Sequence, residues 1–168
     1  MLTCRCACDI LLYSNIFCER VDMYMEGIRN TGAPPKIGEV YLMVFSSSGS
    51  EQGGKRPGVV FQNNVGNMYS PNIIALPLTS AVKKVAQPTH VLLKAEETGL
   101  RMDSIVLCEN PERMSKEKIS RFITRLSNDD MRRIAEANLI ATSAIAFLDI
   151  DSVLRVWHAA SLLNVAKV

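Results

Sequence analysis

The sequence has little net charge, few histidines and no long apolar run. Its 19 Lys and Arg nearly balance 17 Asp and Glu, for a net charge of +2. No global basic field therefore draws in nucleic acid, and any anion site must be made by local placement. The longest apolar stretch, ANLIATSAIAFL at 137–148, is too short to span a bilayer and carries polar residues. The N-terminus has one early Arg and a broken apolar run, DILLYSNIF, which does not read as a signal peptide. Five cysteines are present, but Cys4, Cys6 and Cys8 alternate without the two-residue gap of zinc sites. An odd cysteine count with no secretion signal points to free thiols in a reducing, cytoplasmic setting. The carboxylates are scattered, and the only histidines, His90 and His158, lie in different segments. No metal site, no cofactor and no membrane partner are expected, and a two-histidine nuclease is disfavoured. Both imidazoles are expected to be packed and hydrogen-bonded.

What is present is a core. A hydrophobic content of 48% in 168 residues suits one domain. Residues 1–36 lack sustained periodicity and end in NTGAPPK, where Pro34-Pro35 precludes regular helix. This leader is expected to be disordered or the product of an early start, with Met23 or Met25 as the natural first residue. The ordered domain is expected over 37–140, with a helical extension over 141–168.

From Ile37 the chain reads as β. IGEVYLMVF (37–45), PGVVFQ (57–62), NIIALPL (72–78), THVLLK (89–94) and DSIVLCE (103–109) are short apolar runs of strand-like composition. Turn segments separate them at 63–71, 79–88 and 95–102. Five short strands with compact connections predict a small antiparallel barrel or sandwich. The period then changes. SKEKISRFITRL (115–126) predicts a helix capped by Ser115, with Ile119, Phe122, Ile123 and Leu126 on one face. Ser127 followed by Asn128, Asp129 and Asp130 predicts a second helix, reaching about Phe147 with Met131, Ile134, Ala135, Asn138 and Leu139 as its stripe. DIDSVLRVWHAASLLNV (149–165) predicts a third, packed on the barrel or on a partner through Val153, Leu154, Trp157 and Leu162.

One stretch stands apart. SGSEQGGKRPGVVF (48–61) runs from a polar, glycine-rich loop through Lys55-Arg56-Pro57 into an apolar strand. Pro57 fixes the backbone beside Arg56, so its charge is held close to the rigid body, where it can meet an anion. Alone, Arg56 reads better as a structural ion-pair partner; the surrounding pattern reverses that. Thr79-Ser80 in ALPLTS could by itself merely cap a turn. Lys83 and Lys84 suit either solvent or phosphate contact. Gln52, Asn63 and Asn64 carry amides suited to the base edges of single strands, although loop amides commonly make turns. Phe61 and Tyr69 could stack on bases, with a core place favoured for Phe61.

GEVYLMVF, GSEQGGKRP, VVFQNN, ALPLTS, PTHV, TGLRMDSIVLCEN and the LSNDDM helix start, in this order over roughly 37–140, resemble the MazF/PemK family of toxin endoribonucleases. The resemblance implies an SH3-like barrel with helical additions and a homodimer. It also implies sequence-selective, metal-independent cleavage of single-stranded RNA, restrained by a cognate antitoxin, with DNA binding by the toxin–antitoxin complex. The family's catalytic pair maps onto Arg56 and Thr79. Glu51 is the loop carboxylate placed to act as base or to align Arg56. Gln52, Lys55, Asn64, Ser80, Lys83, Lys84, Glu109 and Arg113 are the RNA-binding candidates. In the stretch Glu109-Asn110-Pro111-Glu112-Arg113, Glu112 occupies a place where the family often has Arg, which puts its base selection in question.

Such chemistry needs a base for the ribose 2′-OH, stabilisation of charge at phosphorus and a proton for the leaving oxygen. Arg56 meets the second need, because its planar fork can bind two phosphoryl oxygens. It is a poor base: deprotonating a group of pKa roughly 12.5 at neutral pH costs about 7 kcal/mol. Two alternatives stand beside this reading. One is a non-enzymatic gyrase poison resembling CcdB, which shares the fold and needs no Arg–Thr pair. The other is an inactive RNA-binding or regulatory member.

Overall fold

The computed structural model describes residues 33–46, 54–80 and 87–162. Nearly all of the expected leader, residues 1–32, thus lies outside the described residues. Strand β1 is Glu39–Phe45 and β2 is Gly54–Val60; a short helix α1, Asn64–Tyr69, leads to β3, Asn72–Thr79. Then come β4 (His90–Leu93), the one-turn α2 (Ala95–Thr98), β5 (Ser104–Leu107), β6 (Glu112–Ser115) and β7 (Ile119–Arg125). Helices α3, Asn128–Ala141, and α4, Ile150–Leu162, follow. The architecture is the expected one, mainly β with helices at the end. Among the described residues the sheet does not close: its order is β4-β5-β3-β2-β1-β7, with β6 also on β3.

Each face of this antiparallel sheet has its own core. Alternation along the strands sends Val40, Val59, Leu76, Leu78 and Val106 to one side, where Leu126 and the α3 residues Ile134 and Ala137 cover them. Tyr41, Met43, Phe45, Val60, Ile73, Ala75 and Met114 form the second cluster on the other side. Gly58 belongs to this second face: a Cβ there would lie 2.5 Å from Phe45 Cζ and 3.0 Å from Met43 Sδ. The ring of Phe45 thus lies directly on the β2 backbone, a close approach that glycine permits.

Strands β5 and β6 run in line along the same edge of β3. Between the Leu78–Val106 pair and the Ala75–Glu112 pair, β3 advances three residues while the opposing chain advances six. The surplus is a bulge around Glu109-Asn110-Pro111. Pro111 has no N–H to give the ladder, and the Asn110 N–H turns back to donate to Leu107 O at 3.2 Å. Asn138 of α3 steadies the base of the bulge by donating its Nδ2–H to Cys108 O at 2.9 Å.

Several local expectations need correction. Residues 115–126 are not a helix. Ser115 caps only a single 3-10 turn, Lys116–Lys118, and Ile119–Arg125 is strand β7 on β1. The segment does not alternate cleanly as a strand either: register shifts against β1 break the period of two, so that Ile119 packs on the second cluster and Ile123 on the first, and the free edge of β1 draws it into the sheet. Tyr41 and Phe122 meet edge to face across that pairing, with centroids 5.6 Å apart. The segments 63–71 and 95–102 are not merely turns but contain α1 and α2; Asn63 caps α1 by accepting the Gly66 N–H.

Ser127 does begin a helix, its Oγ accepting the Asp130 N–H at 3.1 Å. That helix stops at Ala141 and not near Phe147, because Thr142 Oγ1 bonds back to Asn138 O and Ser143 turns left-handed at φ 54°. Within its stripe Ile134 is buried, Met131 and Asn138 are half-buried, and Ala135 and Leu139 are exposed, with Ala137 taking the buried place. Helix α4 forms as expected but does not pack on the barrel, the first of its two expected places: Val153, Leu154 and Trp157 are all exposed, Trp157 at 62%. The side chain of Leu162 lies outside the described residues. His158 is exposed on the same helix, against the expectation of a packed ring.

Candidate active site

Successive side chains of β2 leave the sheet on opposite sides, so the adjacent cations Lys55 and Arg56 are separated. Lys55 sits opposite Val44, exposed; Arg56 sits opposite Met43, on the face of the Tyr41, Met43 and Phe45 cluster. Pairing across β2 and β3 brings Thr79 to the same side. Gly58 and Pro77 are register partners; Arg56 lies two residues before Gly58, and Thr79 two after Pro77. With a side-chain period of two, both share the Gly58–Pro77 face at the same end of their strands. Each is half-buried, and Thr79 is additionally held in register with Ile105 of β5.

This face opens into a cavity of about 520 Å³. Phe45, Arg56, Pro77 and Leu107 form the sheet side of it, and the bulge with its flanks, Glu109 to Arg113, forms a wall; Ser46 completes the lining. Thr79 is not part of the lining itself. Two carboxylates and two guanidinium groups thus meet one space. Each carboxylate is already engaged. Glu112 accepts the Ser46 N–H with both oxygens, at 3.1 and 3.3 Å, and Lys118 Nζ donates to Ser46 Oγ at 3.1 Å. Glu109 Oε1 lies 2.9 Å from His90 Nε2. Next to it, burial and then the charge of Glu109 push the Cys108 thiol up to about 12, so this buried sulfur stays protonated and inert at neutral pH.

The structure brings together Arg56, Glu109 and Arg113 in the cavity, with Thr79 on the same face and exposed Ser80 beside it. It places Lys55 on the opposite face. Asn64 is on α1, its Oδ1 accepting the Ile37 N–H at 2.9 Å, and does not line the cavity. Asn63 is a helix cap, Tyr69 is exposed, and Phe61 packs half-buried against the core. Glu51, Gln52, Lys83 and Lys84 lie outside the described residues. Sequence reasoning missed Phe45, Ser46, Pro77 and Leu107 as cavity residues. Their signal was present, since Phe45, Arg56 and Leu107 occupy matching positions of an alternating pattern, but only strand pairing shows which positions match. Among the described residues no group of three His, Cys, Asp or Glu is placed to hold a metal ion, and no helix is long and apolar enough to cross a membrane.

A family model described as a PemK-like, MazF-like toxin of type II toxin–antitoxin systems matches residues 36–140. The chain belongs to this family. Endoribonuclease EndoA of Bacillus subtilis (strain 168) is 38% identical to it over 113 residues, which are 67% of this chain and 97% of that protein. Among solved structures, MazF from Deinococcus radiodurans superposes with a TM-score of 0.58 at 20% identity, covering 66% of this chain and 98% of its own. An endoribonuclease in complex with its cognate antitoxin from Mycobacterial species gives 0.53 at 23% identity, covering 65% and 95%. These two likenesses establish the PemK/MazF fold, in which the open sheet and its two cores are to be read. The matched segment contains the cavity, its bulge wall, Arg56 and Thr79, and ends within α3.

Proposed function

We propose that this protein is the toxin of a type II toxin–antitoxin pair and a sequence-selective endoribonuclease that cuts single-stranded RNA without a metal ion. The observation that carries the reading is the placement of Arg56 and Thr79 on one face, at the same end of paired strands, beside a cavity large enough for a nucleotide. Family membership and the 38% identity to a protein named as an endoribonuclease support it.

In this mechanism the ribose 2′-OH gives up its proton to a base and attacks the adjacent phosphorus, and the 5′-oxygen of the next nucleotide leaves with a proton from Arg56 or water, giving a 2′,3′-cyclic phosphate and a 5′-OH. Negative charge grows on the phosphoryl oxygens as the pentacoordinate state forms. Arg56 holds that charge with its fork, anchored by a strand so that little reorganisation is needed. Thr79 orients the same phosphate through its hydroxyl. Arg113 and Ser80 are proposed for backbone or base contact, and Glu109 for accepting base N–H groups. Glu51 is proposed as the base on its sequence position, as are Gln52, Lys83 and Lys84 for RNA contact.

The proposed setting is the cytoplasm, as a homodimer restrained by an antitoxin, with residues 37–140 as the toxin domain. The solved complex of a structural neighbour with its cognate antitoxin supports the partner. A gyrase poison or an inactive binding module is less favoured, because the Arg–Thr pair and its cavity are intact. The test is incubation of the purified protein with synthetic single-stranded RNA in EDTA. Cleavage with cyclic-phosphate and 5′-OH ends is expected; intact RNA across all sequences would overturn the reading.

A further inference from the structure

We propose that His90 is a positioning residue for RNA selection: it aims the Glu109 carboxylate into the cavity beside Arg56. The assignment rests on the endoribonuclease reading above and deepens it.

His90 begins β4, in register with Leu107 of β5, and Leu107 lines the cavity. Its side chain is only 7% exposed, whereas that of Glu109 is 33% exposed. A carboxylate at neutral pH can only accept, so the 2.9 Å contact fixes the proton on Nε2 and makes His90 the donor. The other ring nitrogen, Nδ1, is buried with no hydrogen-bond partner among the described residues. A buried imidazole serving only the core has its nitrogens satisfied. Here the nitrogen that is satisfied is the one turned to a residue of the cavity wall.

Glu109 needs such a support. It lies on the bulge, where no ladder pair holds it; the chain around it is fixed by the Asn110–Leu107 turn and the Asn138–Cys108 bond, neither of which sets its side-chain rotamer. With Oε1 held by His90, Oε2 is left to accept from a base. The base groups that can bind such a carboxylate are N–H donors: the exocyclic amines of adenine, cytosine and guanine, and the guanine N1–H. Uracil offers only N3–H on the edge between two carbonyl acceptors. Glu109 held in this way therefore favours an amino-bearing base over uracil.

The experiment measures kcat/KM on a set of synthetic single-stranded RNAs that carry each of the four bases at the positions flanking the scissile bond. Wild type is compared with His90→Gln, whose amide nitrogen can replace Nε2, with His90→Leu, with Glu109→Ala, and with the double variant that combines His90→Leu and Glu109→Ala. His90→Leu is expected to lower kcat/KM on the preferred RNA about tenfold, mainly through KM, and to narrow the preference against uracil. His90→Gln should restore most of that preference. Adding Glu109→Ala to His90→Leu should cost little more, because the two act as one unit. A general loss of structure would lower cleavage of all RNAs in proportion and leave the preference unchanged, which overturns the proposal; so do additive effects of the two substitutions. If His90→Leu does not fold, unaltered preference in folded Glu109→Ala overturns it equally. Wild-type protein that cuts no RNA defeats the nuclease reading itself, a separate result from a wild type that cuts with a preference indifferent to His90.

Discussion

Asn138, in the last turn of α3, donates its side-chain amide to the carbonyl of Cys108 at 2.9 Å. The helix thereby reaches through to the base of the bulge that walls the cavity. Asn138→Ala removes this donor and leaves a carbonyl of a buried residue without it. The expected cost is about 1 kcal/mol of stability, with a loss of RNA cleavage larger than the stability change accounts for. Thermal melting and initial rates on one RNA, taken on the same preparation, check both. Equal activity at reduced stability would disconnect the helix from the site.

Arg56 and Thr79 give the sharpest test of the chemistry. Arg56→Lys keeps the charge but loses the fork, and should lower kcat by about 10²–10³-fold. Thr79→Val keeps shape and loses the hydroxyl, whereas Thr79→Ser retains it. Val should be strongly impaired and Ser only mildly. Single-turnover cleavage with saturating protein separates these effects from RNA affinity. Full activity in Arg56→Lys refutes the phosphate fork.

Gly58 is predicted to accept no side chain without movement. A methyl group at this position meets the Phe45 ring at 2.5 Å, and Phe45 lines the cavity. Gly58→Ala should destabilise the fold by about 1–3 kcal/mol, as overpacking does. Urea unfolding gives the stability directly. The double variant with Phe45→Leu should recover part of it, since the clash is with the ring.

Acid should weaken the start of α3. Burial raises the carboxyl pKa of Asp130, but hydrogen bonds from Ser127 and Arg133 outweigh it, and the net direction is below the ordinary 3.8. A carboxylate with a depressed folded-state pKa adds stability that is present above its unfolded value and is lost as pH falls through the folded one. The loss therefore begins near pH 3.8 and continues below it. Asp130→Asn should lower stability at neutral pH and show a smaller further drop below about pH 4, measured by circular dichroism in the helix band. The same acid sensitivity in both proteins would place the effect elsewhere.

The strands around Arg56 were legible because apolar runs bounded by turn residues identify themselves locally, and Ser127 announced its helix through side-chain capping. β7 was not legible: Ile119, Phe122 and Ile123 fit a helical period, the strand's own alternation is broken by register shifts against β1, and the deciding factor, an open edge on β1, lies far upstream in the chain. The one-turn helix after Lys94 and the early stop at Thr142 depend on local side-chain and backbone hydrogen bonds that composition does not reveal. For the site, the motif residues Arg56 and Thr79 could be named from sequence, but their common face follows only from the Gly58–Pro77 pairing. Lys55 shows the converse, since strand alternation turns this immediate neighbour of Arg56 to the opposite face of the sheet. Glu109 was named, while its tie to His90 joins two segments whose relation no local pattern contains.

The bulge between β5 and β6 divides the labour of the molecule. Glu109, Asn110 and Pro111 stand outside the β3 ladder, whereas Arg56 and Thr79 are built into strands whose alignment the two cores enforce. If Arg56 and Thr79 cut RNA as proposed, substitutions in the looped-out triplet can change which RNA letters are tolerated without moving the cutting groups. A toxin lineage built this way can drift to new messages at little risk to folding, and an engineer seeking a different recognition sequence should begin with those three positions.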